Sequence, residues 1–101
     1  MNELTRKVKQ VLERYCEEFP EVNVDRDYYP FKLNEELGEC IKAYLMYTDR
    51  GRQKGLSKEE IRYEFENELA DVFGFLLLFA DHEHVDLEEV LKRKWLSRLS
   101  D

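Results

Sequence analysis

The stretch SKEEIRYEFENELADVFGFLLLFADH, residues 57–82, decides the fold. It opens with Ser57-Lys58-Glu59-Glu60, a capping box in which Ser57 caps a helix and Glu60 reaches back. From there Ile61, Phe65, Val72, Phe75, Leu76 and Phe79 recur at helical spacing to about His82. Phe73, Phe75, Leu76, Leu77, Leu78 and Phe79 cover more than one side, which predicts a helix buried all round. Glu68 falls inside the apolar stripe. Asp71 sits at its edge three residues on, with Glu64 on the same side.

Three more helical segments flank this one. The first runs from about residue 3 to Phe19, with Leu4, Val8, Val11, Leu12 and Tyr15 on one side, and Pro20 ends it. Residues 20–30 form a connection. The second helix starts near Phe31 and reaches about Thr48. The polar, glycine-flanked segment from Asp49 to Gly55 is a loop. Asp86-Leu87-Glu88-Glu89 is a second capping signal, opening a fourth helix to about Leu99. No segment alternates with period 2, so the expected fold is all-α. It reads as one four-helix domain over residues 1–101, with short connections making neighbours antiparallel.

The second helix repeats the anomaly of the third. Leu33, Leu37, Cys40, Ile41 and Tyr44 form an apolar stripe, and Lys32, Glu36, Glu39 and Ala43 form a strip directly beside it. An amphipathic helix ordinarily keeps its carboxylates opposite the apolar stripe. Here two helices each carry an acidic pair three residues apart against the core, at a cost in desolvation and like-charge repulsion. With 23 acidic residues in 101, one such pair arises readily by chance, as a solvated edge or a partner for Lys or Arg. Two pairs on adjacent helices make sense if cations lie between them. Carboxylates without His or Cys are hard oxygen ligands, suited to Mg²⁺ or Mn²⁺. Di-iron bundles place a His three residues after a Glu, whereas Glu39 and Asp71 stand there in this chain.

Composition narrows the partners. A net charge of −7, from 16 basic and 23 acidic residues, argues against a nucleic-acid polymer or an anionic membrane as ligand. No stretch is apolar enough to span a bilayer and no apolar signal region follows the N-terminus, so the expected location is cytoplasmic. Cys16 and Cys40 lie singly in helical patterns and read as small core residues.

At Glu35-Glu36-Leu37-Gly38-Glu39 and Glu68-Leu69-Ala70-Asp71-Val72 the chain resembles the MazG-like superfamily of all-α nucleoside triphosphate pyrophosphohydrolases. Its signature is a Glu-x-x-Glu on one helix and a Glu-x-x-Asp on the next. Lys32-Leu33 before the first motif, Val85-Asp86-Leu87-Glu88-Glu89, Lys94 and Arg98 agree with it, and the resemblance spans roughly residues 29–98. It implies a four-helix MazG-like bundle completed by dimerisation, as a homodimer or dimer of dimers. It implies cleavage of a nucleoside triphosphate between the α and β phosphates. Glu36, Glu39, Glu68 and Asp71 would hold Mg²⁺, Glu39 would also act on the attacking water, and Lys32, Lys94 and Arg98 would bind substrate. The phosphoribosyl-ATP pyrophosphohydrolases of this superfamily show Leu-Tyr-His after the second motif. Val72-Phe73-Gly74-Phe75 stands here instead and disfavours that substrate. A different class of protein stays open: a non-catalytic helical dimer that senses nucleotide or binds a protein.

Other residues read more plainly. His82 and His84 suit a helix C-terminus better than a metal pair. Tyr28, Tyr29 and Phe31 suit a hydrophobic staple or an interface, and Trp95 core or interface, better than base stacking. The basic loop Arg50 to Lys54 reads as a solvated connection rather than a lid. Gly74 inside a helix costs about 1 kcal/mol relative to Ala, which a close helix approach, a nearby ligand or neutral drift would explain.

Overall fold

Local capping chemistry sets the ends of the helices in the structure, a computed structural model that describes residues 2–99. The elements are α1 (Asn2–Glu18), α2 (Tyr28–Tyr47), α3 (Lys58–His82), α4 (Leu87–Lys94) and a 3₁₀ turn (Leu96–Leu99). Among the described residues there is no strand. The capping box forms as expected, with Glu60 N donating to Ser57 Oγ at 3.1 Å and Ser57 N to Glu60 Oε1 at 2.8 Å. Asp86 likewise caps α4, its Oδ1 accepting from Glu89 N at 3.1 Å.

Two boundaries differ from the sequence pattern. Helix α2 begins at Tyr28, before Pro30 rather than after it. A proline in a first turn is tolerated because its missing N–H would be unpaired there anyway. Asp25 Oδ1 accepts from Tyr28 N at 3.0 Å and supports this earlier start. The fourth helix is shorter than expected, stopping at Lys94 before the chain tightens into the 3₁₀ turn.

Helices α2 and α3 form the most extensive packing. Their register is read from side-chain pairs. Tyr47 stacks on Phe65 at 5.4 Å between centroids, Tyr28 meets Phe75 at 6.3 Å, and Tyr29 stacks on His82 at 4.7 Å. Rising numbers on one helix meet falling numbers on the other, so the pair is antiparallel. Helix α1 lies on α3, tied near its C-terminal end by Lys9 to Asp81 at 3.0 Å.

The buried side chains are Cys40, Ala43 and Met46 of α2 and Ile61, Leu77, Leu78 and Ala80 of α3. On α2 the strip turned toward α3 is therefore the one holding Glu36, Cys40, Ala43 and Met46. Leu37 and Ile41 (50% exposed), expected on the core face, look outward. Burial of α3 on all sides is also not met within one chain, since Leu69, Phe73 (44% exposed) and Leu76 stay open. One neighbouring helix covers one flank, and α1 covers only part of another. The result is a slab of 48 × 46 × 22 Å. Its radius of gyration is 16.5 Å, where a compact chain of this length has about 13 Å. No described helix is long and apolar enough to cross a membrane.

Ser57→Ala removes the hydroxyl that satisfies an otherwise orphaned amide, so it should cost about 1 kcal/mol. Thermal unfolding should register this as a loss of roughly 4–8 °C, with Ser57→Asp retaining wild-type stability.

Candidate metal centre

Antiparallel packing brings the acidic stretch of α2 beside that of α3. Glu36 points into the seam with 15% of its side chain exposed. Glu68 and Asp71, one turn apart on α3, face it. One carboxylate oxygen from each of Glu36, Glu68 and Asp71 lies within 4.8 Å of the others. Glu68 is half-buried and Asp71 exposed, so the group opens at one side to solvent.

Glu39 lies outside this set of three and is exposed, yet its charge reaches Glu68. Glu68 has its pKa raised, first by burial and then by the charges of Asp71, Glu36, Glu39 and Glu64. Lys32, one turn before Glu36, supplies positive charge: its Nζ is 3.5 Å from Glu36 and 3.0 Å from Glu35. Among the described residues neither Glu68 nor Asp71 has an ion-pair partner. Three carboxylates thus share one lysine, and that lysine is divided with Glu35. Such a donor set fits a hard divalent cation, which takes carboxylate oxygens and keeps waters on its open side. Beneath them Cys40 is buried, and burial, followed by the charge of Glu68, pushes its thiol pKa up. A protonated thiol is neither a good ligand nor a nucleophile.

A cleft of about 450 Å³ adjoins the carboxylates. Glu36, Asp71 and Lys32 line one part of it. Tyr15 of α1, Tyr28 of α2 and Phe75 of α3 line another. Lys32 Nζ lies 5.6 Å above the Phe75 ring, at the boundary between the two parts. Gly74 also lines the cleft, and a Cβ there would meet only Val8 Cγ1 at 3.9 Å, so no close helix approach requires this glycine. The sequence reading missed the contribution of α1 and of Tyr28. For Tyr28 a signal existed: Tyr28, Lys32 and Glu36 recur every four residues and share one side of α2.

The remaining sequence candidates lie elsewhere. Lys94, Trp95 and Arg98 are all exposed and none lines the cleft. The loop between α2 and α3 lies beyond Tyr47, about 16 Å along α2 from Glu36. Gln53 Nε2 pins it by donating to Met46 O at 3.0 Å and Gly51 O at 2.9 Å. His84 sits in the left-handed region, with φ of 58°, just past the C-terminus of α3.

Fold and site together define an all-helical protein with an acidic cluster seated on an antiparallel helix pair. The chain belongs to the same family as the uncharacterized protein YvdC of Bacillus subtilis (strain 168). The two are 36% identical over 87 residues, which is 79% of this chain and 82% of YvdC. No family model matches the chain. No solved structure matches it.

The raised pKa of Glu68 has a consequence for stability. The folded state binds its proton more tightly than the unfolded chain does, so ionising it costs stability. That cost is fully present above the folded pKa and disappears below the unfolded value of about 4.3. In metal-free protein, Glu68→Gln should therefore raise the melting temperature at neutral pH. The gain should shrink to nothing as pH falls from about 7 to about 4, which a series of thermal melts across that range will check. A variant less stable than wild type at neutral pH would mean that Glu68 has a favourable partner in the fold.

Proposed function

We propose that the chain is a Mg²⁺-dependent nucleoside triphosphate pyrophosphohydrolase acting as a homodimer or dimer of dimers. The observation that carries this reading is the meeting of Glu36, Glu68 and Asp71 within 4.8 Å, from the two acidic motifs on an antiparallel pair. Both motifs resemble those of the MazG-like superfamily. The apolar cleft beside the carboxylates supports the reading, because a nucleotide has one anionic and one aromatic end.

In this reading Glu36, Glu68 and Asp71 hold the divalent cation, with Glu39 completing the set from the next turn of α2. A divalent cation held by these residues would supply Lewis-acid chemistry and neutralise phosphate charge. Glu39, exposed beside the cluster, accepts a proton from the attacking water. Attack at the α phosphorus breaks the α–β anhydride bond and releases a monophosphate and pyrophosphate. Lys32 pairs with a phosphate oxygen as a point charge, and Lys94 and Arg98 add further phosphate contacts. Control of nucleotide pools or removal of unwanted nucleotides in the cytoplasm is the role that fits.

Incubation with each common ribo- and deoxyribonucleoside triphosphate should release pyrophosphate in the presence of Mg²⁺ and none with chelator. Glu36→Gln, Glu68→Gln and Asp71→Asn should each remove this activity. Mg²⁺ should also raise the melting temperature of the wild type, by mass action on the folded state. Nucleotide binding without turnover from any triphosphate would replace the hydrolase reading with a sensor.

Dimerisation is supported by two outward apolar patches, Leu37 and Ile41 on α2 and Leu69–Phe73–Leu76 on α3. Patches of this kind mark contact surfaces. Light scattering should give a mass of at least twice the 12.3 kDa chain, and Ile41→Glu with Phe73→Glu should return it to one chain.

A further inference from the structure

The end of the chain makes little use of its own fold. The Asp86 cap fixes the first turn of α4, and Leu87 and Glu88 lie beside Asn2 and Thr5 of α1 and Leu77 of α3. From Leu91 to Leu99 every residue is exposed. Among the described residues no ion pair or side-chain hydrogen bond joins residues 90–99 to α1, α2 or α3. The segment is nevertheless built like a contact element. Leu91 is 51% exposed, Trp95 63% and Leu99 83%, a density of open apolar side chains that a solvated tail does not carry. It holds four of the 16 basic residues, Lys92, Arg93, Lys94 and Arg98, and none of the 23 acidic ones.

The body it leaves has the opposite character. It is acidic, and among the described residues its carboxylate cluster has Lys32 alone as an ion-pair partner. Beside that cluster α1 leaves Val11 and Tyr15 exposed at the cleft. A basic, apolar arm that its own body does not engage and an acidic, apolar cleft that its own arm does not cover are complementary surfaces on one chain. In a symmetric pair each arm can satisfy the other's cleft.

We infer that residues 90–99 form an exchanged arm: they dock on a second copy of the chain and deliver Lys94 and Arg98 to that copy's carboxylate cleft. Exchange of a terminal element between identical chains adds contact area without requiring a new surface. It also gives the cleft the cations that its own chain does not bring there. The partner is a second copy because the arm carries the charge sign that this body lacks. The delivery of phosphate-binding groups rests on the hydrolase reading; the docking of the arm does not.

Two measurements on the full-length chain test the two parts separately. Isotopically light and heavy chains are mixed by joint refolding and treated with a zero-length amine–carboxyl cross-linker. Cross-links from Lys92 or Lys94 to carboxylates of α1–α3 should join light to heavy peptides in about half of cases, as random pairing of an exchanged dimer requires. Arm-to-body links confined to one isotope, or no such links, would overturn the exchange. The second measurement mixes Glu68→Gln chains with Lys94→Ala/Arg98→Ala chains. Each alone should be inactive, and the mixture should recover about a quarter of wild-type turnover, because one site in half of the dimers has both parts intact. No recovery in a mixture shown to contain hybrid dimers would overturn delivery in trans. If wild-type protein turns over no nucleotide, the hydrolase reading fails, and the cross-links still decide whether the arm is exchanged.

Discussion

Like charges held across the seam between α2 and α3 are the constraint around which the rest of the structure is arranged. Two carboxylates within 4.8 Å of each other repel by on the order of 1–3 kcal/mol when both are ionised, with solvent at Asp71 favouring the lower end. What opposes this is placed on either side of the cluster. Toward the loop, Tyr44 and Tyr47 pack on Phe65, and Arg62 sits 5.1 Å above Tyr47. Toward the other end, Tyr28 meets Phe75 and Tyr29 stacks on His82. Each aromatic pair contributes about 0.5–1.5 kcal/mol beyond its area burial. Clamped on both sides, two long helices hold the acids together without any local attraction between them.

The same arrangement leaves the chain with more apolar surface than one copy can bury. Strips of α2 and α3 are spent on each other, and on α2 the buried strip holds the small residues Cys40 and Ala43. The larger residues Leu37, Ile41, Leu69 and Phe73 then fall on outer faces. Helix α1 does not cover them, and none of its described residues is buried. A flat slab with two open apolar stripes follows from this division of labour, not from a shortage of hydrophobic residues.

Local features were legible in the sequence, and relations between faces were only partly so. Ser57 and Asp86 announced the starts of α3 and α4 because capping depends on residues three apart. Glu68 was recognisable as misplaced because its neighbours Phe65 and Val72 left no doubt about the apolar stripe of α3. Helix α2 misled, since Leu37 and Ile41 look like a core face and turn outward. A helix with two partners has two apolar faces, and periodicity does not say which partner lies inside the same chain. The start of α2 at Tyr28 is not marked by apolar spacing, and Pro30 fits within its first turn. The cleft was illegible for a further reason: its wall combines Tyr15, Tyr28 and Phe75 from three helices, and no spacing along a single chain encodes that meeting.

The chemistry of the cleft changes along its length, and that gradient bears on how a ligand would lie. Glu36 and Asp71 form an anionic end that repels phosphate unless cations intervene. Tyr15, Tyr28 and Phe75 form an end that rewards a flat, poorly hydrated group. Lys32 stands between them, held at once by Glu36 and the face of Phe75. A nucleotide entering with its base toward the carboxylates would desolvate acids without pairing them and leave its phosphates against aromatic rings. Entering the other way, it would bring each part to groups that favour it, with Lys32 near the junction of sugar and α phosphate. Orientation would thus be set by electrostatics and burial together, with the phosphates on the side of the carboxylates.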